Sequence, residues 1–127
     1  MPNLTSRNLT TLLRLPISAA PDLIRSLLTV QWDMAFFIYI MTNRKNGTLY
    51  VGHTDDLARR IHQHKTGATP GFTKDHSLHR LVHCETLDTR EEARQRERQL
   101  NGWNRAWKIQ LIEQHNPEWR DIYEDML

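Results

Sequence analysis

The spacing of hydrophobic positions along this 127-residue chain changes several times, and each change marks an element. Phe36-Phe37-Ile38-Tyr39-Ile40-Met41 is continuously aromatic and aliphatic, the pattern of a strand covered on both faces and central in its sheet. Asn43 to Gly47 is turn material ending in Asn-Gly, and Thr48-Leu49-Tyr50-Val51-Gly52 resumes strand character. Phe36 to Gly52 is therefore predicted to be a β-hairpin with a slightly long loop, which sets Tyr39 and Tyr50 on adjacent strands. Asp55 is the expected N-cap of a helix running to about Lys65, closed by Gly67 and followed by a polar loop through Pro70-Gly71. A shorter strand, Arg80 to Cys84, precedes Thr89-Arg90-Glu91-Glu92, whose spacing is that of a capping box. The helix it opens is expected to reach about Leu100 and stop at Asn101-Gly102. A further helix, Arg105 to about His115, ends before Pro117, and Trp119 to Glu124 supplies a last turn. Three strands among helices make the fold class α/β, in the α+β sense.

The first 33 residues follow no such pattern. They carry Pro2, Pro16 and Pro21, three arginines, many Ser/Thr/Asn and only Asp22 and Asp33 as acids. Leu23, Ile24, Leu27 and Leu28 after Pro21-Asp22 suit one short amphipathic helix. The acid-poor, Arg- and Ser/Thr-rich composition also suits an organellar transit peptide, while Arg25 breaks the apolar stretch too early for a secretory signal. A start site assigned too early is the leading expectation, because Met34 directly precedes the first strong strand. The folded domain is thus expected to span 34–127, with 1–33 poorly ordered or outside it.

Composition narrows the function classes. The length suits one domain. The longest uncharged apolar run, Met34 to Met41, is far short of the roughly 20 residues that cross a bilayer. The only cysteine, Cys84, excludes an intramolecular disulfide framework and fits a reducing, cytoplasmic compartment. A net charge of +2 hides an uneven distribution: 13 Lys/Arg against 8 Asp/Glu between Arg44 and Lys108, then Arg120 against five acids from Ile109 onward. Six of the seven histidines fall between His53 and His83, so a polyanion would be met in the middle of the chain. His62 and His64 do not make a metal pair, since positions i and i+2 of a helix diverge by about 200°.

Two helical placements carry chemistry. At about 100° per residue, His64 falls within about 20° of Leu57 and Arg60 about 60° away, on or beside the packing face, whereas Arg59 points to solvent. On the next helix Glu97 and Leu100 flank Ala93 at about 40° and 20°, making Glu97 the one carboxylate aimed along the apolar stripe. Burying it is costly unless a metal or an arginine meets it.

Phe37-Ile38-Tyr39, then Tyr50-Val51-Gly52, Arg60 ten residues after Tyr50, His64 one helical turn on, and Glu97 on the following helix form an ordered set. This set resembles the GIY-YIG endonucleases, most nearly the small stand-alone bacterial members, which are similar to the nuclease domain of the excision-repair incision subunit. The first triplet departs from the name, with Phe37 where the name has glycine. The resemblance covers Ala35 to about Trp107. It implies a small three-stranded, mainly antiparallel sheet flanked by helices, and hydrolysis of phosphodiester bonds in DNA, in repair or recombination.

The resemblance also implies roles. Glu97 is expected to hold one divalent cation, Mg2+ or Mn2+, leaving most of its coordination to water and phosphate. Arg60 would bind the non-bridging phosphate oxygens with its planar fork. Tyr50 or Tyr39 would take a proton from the attacking water, although a phenol is a poor base unless positive charge favours its phenolate. His64 would relay that proton or steady the phosphate, with His53 a weaker candidate nearby. An asparagine after the glutamate would be Asn104 or Asn101. The loop Thr66 to His76, together with Lys65 just before it and with Lys74 and His76 in it, suits backbone phosphates. Trp103, Trp107 and Trp119 are expected to close the core rather than stack on bases. The alternative is a catalytically silent nucleic-acid-binding module, which would have no need of an inward-facing Glu97. Target structure and protein partners are not specified by these residues.

Overall fold

A computed structural model describes residues 35–68 and 70–126, so the expectations for 1–33 lie outside the described residues. β1 (Phe36–Thr42) and β2 (Leu49–Thr54) form the hairpin, with Tyr39 opposite Gly52 and Met41 opposite Tyr50. β3 (Arg80–Leu87) pairs antiparallel with the other edge of β1, giving the order β2-β1-β3. β1 is central, as its two-sided apolar covering requires, and Phe37 through Met41 are all buried. The sheet is antiparallel throughout, and a register shift between Ile40 and Met41 marks a bulge against β3.

The helices take the places their caps dictate. α1 (Leu57–Thr66) begins one residue later than expected: Asp56, not Asp55, accepts the Arg59 amide at 3.2 Å, and Asp55 instead pairs with Arg90 at 2.8 Å. Gly67 ends α1 in the left-handed conformation (φ 69°), its own amide and that of Ala68 returning to the His64 and Gln63 carbonyls. The predicted polar loop contains a single helical turn, α2 (Phe72–Asp75). β3 is three residues longer than the pattern indicated, because Glu85 and Thr86 are buried opposite Ile38 and Phe37 rather than ending the strand. α3 (Arg90–Gly102) starts with the Thr89 hydroxyl accepting the Glu92 amide, and α4 (Arg105–His115) ends before Pro117 as expected. A short 3-10 helix, Ile122–Met126, follows.

Each face of the sheet has its own core. Phe37, Tyr39 and Met41 pack with Leu57 and Ile61 of α1 and with Ile122; Ile38, Ile40 and Val51 pack with Ala93 and Leu100 of α3 and Leu111 and Ile112 of α4. Trp103 and Trp119 close the second core, but Trp107 is exposed, turned edge-on against Trp103, and takes no part in it.

Candidate active site

Tyr39 is buried in the middle of β1 and its hydroxyl cannot remain without a partner in so apolar a setting. His64, carried inward by the packing face of α1, supplies it: Tyr39 Oη lies 2.9 Å from His64 Nε2, and His64 Nδ1 lies 2.9 Å from Thr73 Oγ1 on α2. Both links are buried. Burial and the nearby Arg60 cation hold His64 below its usual range, so the imidazole is neutral and joins one donor nitrogen to one acceptor nitrogen. Burial and then Tyr50 push the Tyr39 phenol well above its ordinary value, which the Arg60 guanidinium only partly offsets. Gly52 makes the arrangement possible. A Cβ there would stand 2.6 Å from Tyr39 Oη and 3.0 Å from the Tyr50 ring, so no other residue fits without displacing the phenol.

Tyr50 occupies the edge strand and is only half-buried. Its ring centroid lies 6.3 Å from that of Tyr39 and 5.8 Å from that of His64. Where β2 runs into α1, a polar cleft of about 340 Å³ is lined by His53, Arg59, Arg60, Gln63, Arg90 and the Thr54-Asp55-Asp56 turn. Arg60 reaches it half-buried, with Nη1 3.4 Å from Gln63 Oε1, while Arg59 is exposed at its rim. Glu97 arrives from the opposite face. His53 projects from β2 on the α3 side, opposite Ile38, and its Nδ1 bonds Glu97 Oε2. The Glu97 field still reaches Tyr39. The candidate site thus straddles edge strand β2, with phenols, imidazole and guanidinium from one layer and the carboxylate from the other.

Residues 35–110 match the GIY-YIG catalytic domain. This chain belongs to the GIY-YIG family. It is 35% identical to a UPF0213 protein of Haloquadratum walsbyi over 78 residues, 61% of this chain and 86% of that one. It is 37% identical to a UPF0213 protein of Staphylococcus saprophyticus over 76 residues, 60% and 92% of the two chains. The UPF0213 protein BH0048 of Bacillus halodurans, known from solution NMR, is similar at 30% identity over 69% of this chain and 93% of its own, with a TM-score of 0.45. The chain is thus similar to a group of small stand-alone GIY-YIG proteins. Among the described residues no helix is long and apolar enough to cross a membrane.

A GIY-YIG domain is a nuclease-family domain, whose members generally use a divalent metal. Among the described residues no three His, Cys, Asp or Glu side chains come together as a metal cage. Glu97 is a single hard oxygen donor with about a quarter of its side chain exposed (26%). That suits an ion that keeps several waters and takes its other ligands from phosphate, as Mg2+ does.

The remaining predicted residues lie elsewhere or hold structure. Lys65 turns to the His79 carbonyl and the Asp121 carboxylate, with its ammonium over the Tyr123 ring. Asn104 accepts the Trp107 amide as the N-cap of α4, and Asn101 is exposed on α3. Lys74 is exposed on α2. Two participants escaped the sequence reading, Thr73 and Gly52 as a steric gate, while His53, expected as a weaker candidate in this neighbourhood, is the partner of Glu97. Only Gly52 left a signal, since a glycine inside an alternating strand marks close approach by another group.

Proposed function

We propose that this GIY-YIG domain is a divalent-metal-dependent endonuclease that hydrolyses phosphodiester bonds in DNA. The observation that carries the reading is an open polar cleft at the end of β2 lined by Arg60 and by His53, which bonds Glu97, with Tyr50 on the same strand. Glu97 would hold one Mg2+ or Mn2+ ion. When bound, that ion supplies charge neutralisation at the phosphate and at the leaving oxygen. Arg60 binds the non-bridging oxygens from the α1 side. Tyr50, half-buried on β2, takes the proton of the attacking water as its phenolate, having first given its own proton to solvent, and is left as the neutral phenol. Tyr39 is unsuited to that role because its burial disfavours the phenolate, so it orients: its hydroxyl is fixed by His64, which Thr73 fixes in turn. His53 releases Glu97 when the cation binds and turns to the phosphate backbone, with Lys74 and Asn104 as outer contacts; Lys65 serves mainly to fix the C-terminal segment. A place in repair or recombination, in the cytoplasm, is part of this reading. Residues 34–127 form the working unit, and a chain begun at Met34 keeps its activity and unfolding temperature. A loss of several degrees in that chain would show that residues 1–33 belong to the fold.

The direct test is nicking of supercoiled plasmid and of branched DNA with Mg2+ or Mn2+ and with excess chelator. Cleavage that chelator abolishes and Tyr50→Phe cripples supports the reading. Cleavage indifferent to chelator removes the assignment of Glu97. Because His53 already occupies one Glu97 oxygen, the second reading is a silent DNA-binding module, which would bind DNA but cut nothing under any metal.

A further inference from the structure

Phe72 and Trp107 are the large hydrophobic side chains exposed among the described residues, and they are exposed differently. Trp107 lies edge-on against Trp103, away from the catalytic layer. Phe72, 45% exposed, sits in a row of three near-parallel rings that starts at Tyr50. The Tyr50 and Phe72 centroids are 6.2 Å apart with planes 24° from parallel; Phe72 and His76 follow at 4.0 Å and 21°. His76 is held in place by donating Nδ1–H to the Phe72 carbonyl at 3.0 Å. The next residue, Thr73, is buried and bonds His64, so α2 is fixed to the Tyr39–His64 chain on one side while it holds these rings out to solvent on the other.

We propose that Phe72 and His76 form a stacking platform, open at the His76 end, for an unpaired nucleobase close to the scissile phosphate, making DNA with unpaired nucleotides near the cut the substrate class; this rests on the nuclease reading above. Exposed parallel rings contribute nothing to the core, and π-faces accept any base without reading its sequence. A base inside a duplex has both faces covered by its neighbours, so the platform is open only to a base outside the stack. Lys74, exposed on the same turn, supplies a cation for the adjoining backbone phosphate. The row begins at the phenol assigned to proton transfer, so a base stacked on its open end, at His76, lies two rings along from the reacting phosphate.

The test uses the full chain in chelator, where cutting is blocked, with single strands carrying 2-aminopurine and with the same sequence as a duplex. Single-strand binding with fluorescence quenching is expected. Phe72→Ala and His76→Ala should each weaken it by about ten-fold and abolish the quenching, with Phe72→Ala leaving duplex affinity unchanged. Phe72→Trp should restore both. Unaltered single-strand affinity and quenching in both alanine variants, with an unaltered unfolding midpoint, would overturn the platform. If these variants also cut plasmid at the wild-type rate with Mg2+, the nuclease reading survives without it. A chain that cuts no DNA under any metal, but shows the Phe72-dependent binding, would retain the platform and lose the nuclease.

Discussion

Each face of the sheet holds one buried histidine network, and the two are built on opposite terms. On the α1 face, Tyr39, His64 and Thr73 are joined by hydrogen bonds between neutral groups, and the chain opens toward Tyr50 and the cleft. On the α3 face a buried carboxylate meets a guanidinium. His83 Nε2 lies 2.8 Å from Glu85 Oε2, while Arg96 donates Nε–H to Oε1 at 2.8 Å and Nη2–H to Oε2 at 3.1 Å. Arg96 also donates to Gln99 and lies over the Trp103 ring. Burial raises the Glu85 carboxyl, but His83 and Arg96 together outweigh it and bring the group down to about 2. The second network clasps β3 to α3, and it sets the helix rotation that delivers the next residue, Glu97, to the sheet edge. In the function proposed above, one network serves the chemistry and the other holds position.

The sharpest separation of the two comes from adjacent residues on α3. Glu97→Ala should reduce cleavage by about 10³-fold or more, with an unfolding free energy within about 1 kcal/mol of wild type, since a part-exposed pair contributes little. Substantial cleavage by this variant would end the assignment. The α1 face offers a parallel contrast: Arg60→Ala should cost about 10²-fold in kcat/KM, and Arg59→Ala only a few-fold, through weaker DNA binding. Equal losses would mean that the charge of the cleft matters and its geometry does not.

Stability should divide the other way. Arg96→Ala strands the buried Glu85 carboxylate and should cost about 3–5 kcal/mol in urea unfolding. Tyr39→Phe removes one neutral hydrogen bond and should cost about 0.5–1.5 kcal/mol while lowering activity much further. A reversed order would break the division of labour between the faces. The smallest effects are in pH. Glu85 has its folded-state value depressed, so its contribution is complete above about 4.3 and is lost as pH falls from there toward 2. His64 is also depressed, favouring the neutral ring, and its contribution begins to fall as pH drops below about 6.5. Unfolding free energies from pH 7 to 3 should show two separate losses, the lower one absent in Glu85→Gln and the upper one absent in His64→Gln.

Much of the catalytic layer was legible because it depends on local periodicity. The alternation around Tyr50 and the covered run around Tyr39 gave the strands, and the angular positions of Arg60, His64 and Arg59 on α1 agree with their burial. The α3 face was read less well. Arg96 and Glu97 both border the Ala93–Leu100 stripe, yet the arginine is the buried one and the carboxylate sits at the edge. The wheel gives direction without depth, and depth depends on Glu85, whose place inside the core follows from the extension of β3. Thr73 was hidden for a related reason: a threonine in a polar loop carries no period, and only the docking of α2 makes it the partner of His64.

What the sequence determined by itself is the set of elements, the shared faces within each element, and the ordered residues that mark a GIY-YIG domain. These follow from backbone repeats of about 2 and 3.6 residues, which act over a few positions at a time. The tertiary structure decided which faces meet. Glu97 bonds His53, 44 residues away, and Tyr39 bonds His64, 25 residues away, across layers that no periodicity connects. It also placed the site on edge strand β2, where Gly52 lets the Tyr39 hydroxyl lie against the strand backbone and where both layers reach a single cleft. A buried polar group is stable only with a partner at hydrogen-bond distance, and that partner is chosen by packing in three dimensions.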